Sequence, residues 1–534
     1  MKKEFFRKIN RRFLFRAAVL FLLAVYISML PGKLFTDPVS TVILDRNGRL
    51  LGAKVADDGQ WRFPTDAKVP EKIAKSTLTF EDRFFYRHPG FNPVSLARAL
   101  LLNIRAGEVV SGGSTLTMQT IRLSRKGKPR SVFEKAIEIL LATRLELNRT
   151  KDEILALYVS NAPYGGNVVG IGAASWRYFG TSADNLSWAE SATLAVLPNA
   201  PALIHPGKNR DQLLKKRNRL LGQLLRQGWI DTLTYQTSCM EPIPDRPIAI
   251  PRLATHLLDR FCQENKGDII LTTLDENLQK FCAGIVQKHH DRLQYNEVHN
   301  AAAMIMEVET GNVVAYVGNV GGNSADAQGS DVDIIRSPRS TGSLLKPLLY
   351  AALLDDGKVL PQSLVPDIPI NLSGFAPQNF DGHFEGAVPA DRALSRSLNV
   401  PAVQMLRDFG IDRFLHLLVD LGMTTLKMPA EHYGLSLILG GAEGTLEEMT
   451  NIYACFSRVL NHYADSGLYY AGDYRPVNYR MRPGPKPEKG SLQPGMISAS
   501  SLWFTYRAMD EVNRPDEESG WRSFSSSRKI AWKT

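Results

Sequence analysis

The chain has 534 residues, which is enough for two or three domains that each bury a core of their own. Apolar residues make up 44% of it and charged residues 22%, a balance typical of globular proteins rather than of disordered or fibrous chains. The formal net charge of +10 indicates an anionic partner, such as nucleic acid, a membrane surface or a phosphorylated substrate. Much of this charge lies at the extreme N-terminus, so we expect no nucleic-acid partner.

Four cysteines occur along the chain, and none has the Cys-x-x-Cys spacing of a metal or redox site. They are Cys239, Cys262, Cys282 and Cys455. A Cys262–Cys282 disulfide could form in an oxidising compartment, although buried free thiols are common in globular proteins. The sequence leaves both alternatives open.

A hydrophobic segment runs from Phe13 to Leu30, and only Arg16, Tyr26 and Ser28 interrupt it. Crossing a bilayer takes about 17–25 residues, so the segment is just long enough. The charged end of Arg16 could reach the membrane interface along its own aliphatic stem. The segment therefore predicts a transmembrane helix over residues 13–30.

Basic residues dominate the stretch before this segment, where Glu4 is the single acidic residue. They are Lys2, Lys3, Arg7, Lys8, Arg11 and Arg12. The positive-inside rule then predicts a cytoplasmic N-terminus and an exported remainder. A cleaved signal peptide is the alternative, but no small-x-small cleavage site lies near Ile27–Leu30. We expect an uncleaved signal anchor in a bacterial inner membrane, with the catalytic domains on the periplasmic face.

The pattern then changes along the chain. Residues 40–70 predict short strands and turns, and residues 71–235 show helical spacing, as in Phe133–Leu147 and Glu153–Val159. A proline-rich stretch indicates a linker. Beyond it, strands and helices alternate: Ala301–Val308 and Val313–Val317 predict a hairpin, and a helix follows Ser343.

Acidic, hydroxyl and basic residues occur together in the helical region. Glu81-Asp82 precedes a loop rich in glycine and hydroxyl groups, residues 112–119, and Glu138 lies in a helical run. A basic cluster that could neutralise a leaving pyrophosphate lies between them: Arg122, Arg125, Lys126, Lys128 and Arg130. Each piece alone is weak, because acidic pairs are usually solvated helix ends and charge runs are usually solvated faces.

The order of these motifs closely resembles that of the peptidoglycan glycosyltransferases. The resemblance rests on Glu81-Asp-Arg-x-Phe85-x-x-His88-x-Gly90, Gly112-Gly-Ser-Thr-x-Thr-x-Gln119, Lys151 to Asn161 and Gly170-Ile-Gly-Ala-Ala174. With the Ser343 and Ser397 motifs described below, nearly the whole chain resembles a class A penicillin-binding protein. Met118, where most members carry Gln, and the ending Ala531-Trp-Lys-Thr534 resemble the 1C subgroup.

The resemblance implies an α-helical, lysozyme-like domain that acts on lipid II and the nascent glycan strand. Glu81 would be the general base, and Glu138 would help to place the pyrophosphate through a divalent cation, Mg or Mn. The implied ligand-binding residues are Asp82, Phe85 and His88 around the base, and Thr115, Gln119 and Arg122 at the donor. This chain departs from the family at Asn92, where Asp is usual, and at Glu134, where Arg is expected.

Ser343-Leu-Leu-Lys346 has the Ser-x-x-Lys spacing of an acyl-enzyme nucleophile, with Lys346 one helical turn away as its base. Ser397-Leu-Asn399 adds a Ser-x-Asn element. The resemblance implies that Ser343 attacks the D-Ala-D-Ala bond of a stem peptide and is trapped by penicillin-type β-lactams. Ser397 and Asn399 would relay the proton and bind the substrate amide in an α/β, β-lactamase-like transpeptidase domain.

The chain ends at Lys533-Thr534, which begins a Lys-Thr-Gly triplet. In the family this motif lies on a strand beside the acyl site, which implies substrate-binding roles for Lys533 and Thr534. Further strands and a helix follow it there. We therefore expect a transpeptidase domain truncated at its C-terminal strands and impaired, unless a separate chain completes it. A split gene or a sequence error would produce the same ending.

The predicted organisation is a cytoplasmic tail at 1–12, an anchor at 13–30, a glycosyltransferase domain at 40–240, a linker at 241–295 and an incomplete transpeptidase domain at 296–534. The predicted function is peptidoglycan synthesis by polymerisation of lipid II, together with other cell-wall synthesis proteins. Three alternatives remain: a hydrolase that uses water as the acceptor, a bifunctional synthase completed by a second chain, and a non-catalytic cell-wall scaffold.

Overall fold

The computed structural model describes residues 11–64, 68–107, 112–126, 128, 131–199, 206–321, 329–372, 374–482, 489–511 and 530–533. The chain divides into two compact units. The first comprises Met1–Arg252 with Leu258–Ile270, and the second Leu253–Leu257 with Leu271–Thr534.

The first unit is mainly helical, with short strands at its start and middle. In chain order, its elements are α1 (Arg11–Ser28), β1 (Thr41–Leu44), β2 (Leu50–Lys54), β3 (Trp61–Arg62), α2 (Glu71–Glu81), α3 (Pro93–Ala106), α4 (Leu116–Ser124), α5 (Val132–Asn148), α6 (Lys151–Asn161), β4 (Pro163–Gly165), β5 (Val168–Val169), α7 (Ile171–Phe179), α8 (Trp188–Val196), α9 (Arg210–Arg226) and α10 (Thr232–Met240). Helix α11 (Thr255–Glu264) and strand β6 (Ile269–Leu271) each contain a boundary between the two units, after Leu257 and after Ile270.

Side-chain caps set the starts of the helices that carry the predicted patterns. Ser131 accepts a hydrogen bond from the first turn of α5, and Thr150 forms a capping box with Glu153 at the start of α6. Helices α5 and α6 contain the predicted runs Phe133–Leu147 and Glu153–Val159, so both predictions are confirmed.

The core of the first unit joins the β1–β2 pair to the helices around Glu81. Helix α2 packs on α8, and α4 packs on both α5 and α6. The buried apolar side chains include Val42, Ile73, Leu116, Ile121, Leu145 and Leu155. Burial of such side chains is the main favourable term in folding, and here it brings the C-terminal end of α2 into one compact body with α4.

Helix α1 covers most of the predicted transmembrane segment, and its apolar side chains are largely exposed. In the part of the chain that the structure describes, no helix combines the length and the hydropathy required to cross a bilayer. The C-terminal end of α1 contacts α5, where Tyr26 Oη lies 3.0 Å from Thr143 Oγ1. The Arg144 guanidinium donates hydrogen bonds to the Ile27 carbonyl at the same place.

The second unit alternates short strand pairs with helices. In chain order, its elements are α12 (Glu276–Leu293), β7 (Ala303–Met306), β8 (Val313–Val317), β9 (Arg339–Ser340), α13 (Lys346–Asp355), β10 (Leu364–Asp367), β11 (Gly386–Pro389), α14 (Ala390–Ser395), α15 (Asn399–Phe409), α16 (Ile411–Asp420), α17 (Ala430–Tyr433), β12 (Glu443–Gly444), α18 (Leu446–Ser466) and α19 (Ala499–Asp510).

The predicted hairpin and the predicted helix after Ser343 are both confirmed. Strands β7 and β8 pair antiparallel with Ala303 opposite Val317, and Gly311 adopts a φ of +71° in the connecting turn. Helix α13 begins at Lys346, and Pro347 lies in its first turn, where no helical hydrogen bond needs its missing N–H.

The four cysteines are free thiols, so the Cys262–Cys282 disulfide that the sequence left open does not form in this structure. Burial raises the pKa of the Cys282 thiol and also that of the Cys262 thiol, which keeps both groups protonated near neutral pH.

Ser397 has a left-handed backbone conformation, with a φ of +56°. Its N–H donates to the Leu394 carbonyl, and the next N–H, of Leu398, donates to Ala393, so together they close the end of α14. Glycine usually occupies this position, because a Cβ atom there costs about 1–2 kcal/mol. The Ser397 side chain is therefore held at a conformational cost beside the start of α15.

This cost predicts an unusual order of stability for two substitutions that both remove the hydroxyl. Ser397→Gly should have a free energy of unfolding about 1 kcal/mol higher than Ser397→Ala, because only glycine relieves the left-handed strain. At an ordinary helical site the order is reversed. Urea unfolding of the two variants, followed by tryptophan fluorescence, measures the difference, and an alanine variant as stable as the glycine variant would refute it.

Candidate functional site

Glu81 is the last residue of α2 and is half-buried, with its carboxylate in contact with Gln119 of α4. Its Oε2 accepts a hydrogen bond of 2.7 Å from Gln119 Nε2. Its Oε1 is buried and has no hydrogen-bond partner among the described residues. Burial raises the pKa of this carboxyl group, although the Gln119 hydrogen bond opposes the shift. One oxygen is thus held in place while the other remains available to accept a proton.

Asp82 fixes the surroundings of the Glu81 carboxylate. Its Oδ2 accepts hydrogen bonds from the Leu116 N–H at 2.9 Å and from His88 Nε2 at 3.0 Å. Asp82, His88 and Phe85 are all buried, and the Lys151 ammonium lies 4.5 Å from the centre of the Phe85 ring. These predicted residues therefore lie together around Glu81, as structural supports between α2 and α4.

Thr115 is the N-terminal cap of α4, and its side chain is buried. Its hydroxyl accepts from the Met118 N–H and donates to the Gly90 carbonyl at 2.5 Å. Gly90 has a φ of +94°, and a Cβ atom there would lie 2.8 Å from the Ala142 backbone. Thr115 thus holds the loop around Gly90 against α4, with both hydrogen bonds of its hydroxyl made inside the protein.

Gln119 and Met118 differ sharply in their access to a ligand. Met118 is 0% exposed and packs in the core. This residue, which resembles the 1C subgroup, therefore cannot contact a substrate directly. Gln119 bonds Glu81 through its Nε2, and its Oε1 accepts a long hydrogen bond of 3.4 Å from Tyr158 Oη. Tyr158 therefore helps to hold the amide with its N–H groups toward Glu81, a role that the sequence analysis missed.

Glu138 lies on α5 and is largely buried. Its Oε2 pairs with Lys135 Nζ at 3.1 Å, and the same ammonium group donates to the Ser114 hydroxyl before α4. The unexpected Glu134 pairs with Arg125 at 2.5 Å, and this ion pair lowers the pKa of the Glu134 carboxyl group. The negative charge of Glu134 is thus compensated within the basic cluster.

Among the described members of the basic cluster, Arg122 is exposed at the end of α4 and has no ion-pair partner within the described residues. Lys126 pairs with Asp37. Arg130 lies outside the described residues. The structure thus leaves Arg122 as an accessible cation on α4, the helix that also carries Gln119.

The second group of predicted residues meets at the start of α13. Lys346 Nζ donates to the Ser397 carbonyl at 2.7 Å and to Asn399 Oδ1 at 2.7 Å, and it lies 3.4 Å from Ser397 Oγ. Lys346 is 3% exposed. Burial lowers the pKa of its ammonium group to about 7, and the charge of Lys533 contributes to the shift. Lys346 can therefore be neutral, and so act as a base, near physiological pH.

Lys533 reaches the same place, although Ala531–Lys533 belong to no described strand. Its Nζ donates to Ser397 Oγ at 2.8 Å, and burial lowers its pKa to about 8. Thr534 lies outside the described residues. Lys346, Ser397, Asn399 and Lys533 are thus brought together as the motifs predicted.

Ser343 lies one turn before α13 and is half-buried, and its hydroxyl has no hydrogen bond to the described residues. The segment just before it pairs with residues 440–442: the Thr341 N–H donates to the Ala442 carbonyl at 3.0 Å, and the Ser340 hydroxyl donates to the Gly440 carbonyl at 2.8 Å. This pairing fixes the approach to Ser343.

The sequence analysis missed Gln378 and Asn379, which both contact Asn399. No spacing rule singled them out, because they lie 20 residues or more upstream of it in a loop. The Pro377-Gln-Asn379 sequence indicates only a turn. Their role becomes visible through contacts that are distant in sequence.

Comparisons with known proteins match one family model to each of the two units. A family model described as Transglycosylase matches residues 48–225, and one described as Penicillin binding protein transpeptidase domain matches residues 301–465. The chain is 36% identical over 495 residues to Penicillin-binding protein 1C of Escherichia coli (strain K12), covering 92% of this chain and 61% of that protein.

Two further relatives show the same similarity at greater distance. Penicillin-binding protein 1F of Bacillus subtilis (strain 168) is 28% identical, over 76% of this chain and 57% of that protein. Penicillin-binding protein 1A of Aquifex aeolicus (strain VF5) is 26% identical, over 84% of this chain and 74% of that protein. The chain thus spans 61% and 57% of the length of the first two relatives. With a transglycosylase domain followed by a transpeptidase domain, the chain belongs to the class A penicillin-binding proteins.

Proposed function

We propose that the first unit polymerises lipid II into glycan strands, with inversion at the anomeric carbon and loss of undecaprenyl pyrophosphate. The observation that carries the proposal is the Glu81 carboxylate, which is buried, held through one oxygen by Gln119 and unpaired at the other. A base of raised pKa in this arrangement is suited to take a proton from a hydroxyl group at neutral pH.

The Glu81 carboxylate removes the proton of the acceptor sugar 4-hydroxyl as that oxygen forms a bond to the anomeric carbon of the growing chain. The bond from that carbon to the pyrophosphate oxygen breaks, and the electron pair leaves with undecaprenyl pyrophosphate. A hydrolase would use water in place of the sugar hydroxyl. The accessible Arg122 and the Lys135 ammonium, placed on α4 and α5, favour a donor with an anionic leaving group.

A divalent cation at the pyrophosphate stays a prediction. The described residues bring together no group of three or more His, Cys, Asp or Glu side chains that could hold a metal ion. Glu138 is already paired with Lys135, which supplies positive charge in that place. Among the described residues, the side chains therefore form no metal site on their own.

We propose that the chain works at a bacterial inner membrane. Helix α1 exposes large apolar side chains, such as Phe13, Phe15 and Phe21, and α3 exposes Val94 and Ile104. Exposed apolar groups on two helices of one unit favour contact with acyl chains over contact with water. A lipid-linked donor would be met at this surface.

Glu81→Gln should abolish polymerisation, because an amide keeps the size of the carboxylate but cannot accept the proton. A loss of at least about 100-fold is expected for removal of a general base. Glycan chain formation from labelled lipid II in detergent measures it, and parallel reactions with EDTA measure the contribution of a divalent cation. Glu153→Gln is the matched control, since its amide can still complete the cap of α6. Full activity of Glu81→Gln would refute the assignment.

The raised pKa of Glu81 also predicts how polymerisation depends on pH. The base works only when deprotonated, so the rate should rise with pH through a midpoint above that of an ordinary glutamate. The Gln119 hydrogen bond lowers the pKa of Glu81, so Gln119→Leu should move this midpoint to higher pH. The pH profile of kcat/KM for lipid II measures this midpoint. A midpoint in Gln119→Leu that stays the same or falls would contradict the assignment of Glu81 as the base.

We propose further that the second unit is an acyl-serine site with Ser343 as the nucleophile and Lys346 as its base. The supporting observation is the contact of Lys346 with Ser397 and Asn399, and of Lys533 with Ser397. The Ser343 oxygen would form a bond to the carbonyl carbon of the stem peptide or β-lactam, and its proton would pass to Lys346. The C–N bond at that carbon would then break, and the departing nitrogen would take up the proton, leaving as D-Ala from a peptide or staying attached in the opened β-lactam ring. Labelling with penicillin tests whether the second unit is impaired, as predicted from the sequence.

Fluorescent penicillin should label the purified chain, and Ser343→Ala should remove the band. Because the neutral Lys346 amine is the active form, the labelling rate should increase with pH through about 7. Ser337→Ala is a matched control, since its hydroxyl bonds only the Asp333 carbonyl. If no band depends on Ser343, the acyl site is silent and polymerisation remains; if neither activity appears, the scaffold alternative gains support. A band that appears only with a second chain would indicate completion in trans.

A further inference from the structure

The Asn379 side chain forms four hydrogen bonds, two through its oxygen and two through its NH2 group, which is the full number that a side-chain amide can form. Its Oδ1 accepts from the N–H groups of Asn399 at 2.9 Å and Val400 at 3.2 Å. Its Nδ2 donates to Asp367 Oδ1 at 2.8 Å and to the His383 carbonyl at 2.9 Å. With donors on one side and acceptors on the other, only one orientation of the amide satisfies all four partners.

These contacts replace a missing helix cap. The first N–H groups of a helix have no partner within the helix and usually bond a polar side chain at the cap position. In α15 that position is Leu398, which has no polar side chain and provides no cap. The Asn379 oxygen supplies the cap from 20 residues upstream, and it holds the turn that carries Asn399.

The neighbouring residue sets the orientation of the Asn399 amide. Asn399 Nδ2 donates to the Gln378 carbonyl at 2.9 Å, which leaves Oδ1 to accept the 2.7 Å hydrogen bond from Lys346. A reversed amide would direct its own N–H groups at the Lys346 amine. The Gln378-Asn379 pair therefore determines both where Asn399 lies and which atom it presents to the base.

Asp367 keeps Asn379 in this orientation. It is 0% exposed, and its carboxylate accepts from Asn379 through Oδ1 and from the Glu385 N–H at 3.0 Å through Oδ2. A buried carboxylate can only accept hydrogen bonds, so it requires the NH2 side of the Asn379 amide. A chain of contacts thus runs from Asp367 through Asn379 and Asn399 to Lys346.

We propose that Asn379, oriented by Asp367, is a positioning residue for acylation at Ser343. Asn379 holds Asn399 so that the Asn399 side-chain oxygen accepts a hydrogen bond from Lys346. Two N–H groups of Lys346 are thereby directed toward Asn399 and Ser397. The inference rests on the proposed acyl-serine function of the second unit. Asn379 and Asp367 touch neither the nucleophile nor the base, and they act through Asn399.

Asn379→Ala should slow acylation by about tenfold to 100-fold, because the base is no longer held in a productive geometry. The measurement is a time course of benzylpenicillin acylation over a range of concentrations. It separates the rate constant of acylation, which should fall, from the dissociation constant of the initial complex, which should stay unchanged. Gln404→Ala is the control, since its buried amide lies on the same helix and bonds only the Pro366 carbonyl. An equal loss in both variants would overturn the proposal.

Exchanging the two side chains provides a rescue experiment. Asn379→Asp alone sets two carboxylates against each other, whereas Asp367→Asn alone leaves the Asn379 amide held by Asn399, Val400 and the His383 carbonyl. The double variant restores one donor facing one carboxylate. It should acylate faster than Asn379→Asp alone, and a double variant no faster than Asn379→Asp would contradict the proposed orientation.

A third measurement does not depend on acylation. Amide hydrogen exchange at Asn399 and Val400 should be faster in Asn379→Ala than in the unmodified chain, because both N–H groups lose their acceptor. If the unmodified chain is not labelled by penicillin, the proposed function fails, and exchange still tests the positioning. Unchanged protection at both amides would refute the proposal.

Discussion

Both candidate sites depend on the cost of removing a charged group from water. The Glu81 carboxylate and the Lys346 ammonium group are buried, and burial shifts their pKa values in opposite directions, upward for Glu81 and downward for Lys346. Each shift brings the group toward the range in which it can exchange a proton at neutral pH. One physical effect thus acts on the proposed base of each unit, and the surrounding hydrogen bonds determine where each side chain lies.

An amide is the immediate partner of the base in each site. Gln119 donates to Glu81, and Asn399 accepts from Lys346, so a carboxylate receives a donor and an amine receives an acceptor. Each amide is held by another group, Tyr158 in the first site and the Gln378 carbonyl in the second. An amide carries a donor and an acceptor on one planar group. Its orientation must therefore be fixed for it to present the correct one of the two to its partner.

Local patterns predicted the elements that carry the sites, but tertiary contacts decide their details. Periodicity and turn residues predicted α5, α6 and the β7–β8 hairpin, because those signals are local. The family resemblance also implied that Lys346 would meet Ser397. The burial of Met118 and the supporting role of Asn379 depend on residues distant in sequence, so no local pattern could reveal them. The predicted transmembrane segment stays a prediction, since among the described residues no helix is long and apolar enough to cross a bilayer.

The apolar residue at the start of α15 has a consequence for the order of folding. Leu398 leaves that helix without a local cap, so the turn that carries Asn399 is stabilised only once the loop at Asn379 has docked. Closing such a loop costs entropy before the contact can stabilise anything. The proposed acyl site therefore depends on the completed tertiary structure. A β-lactam that reacts with this chain would report that the surrounding domain has folded, and the antibiotic would serve as a conformational probe.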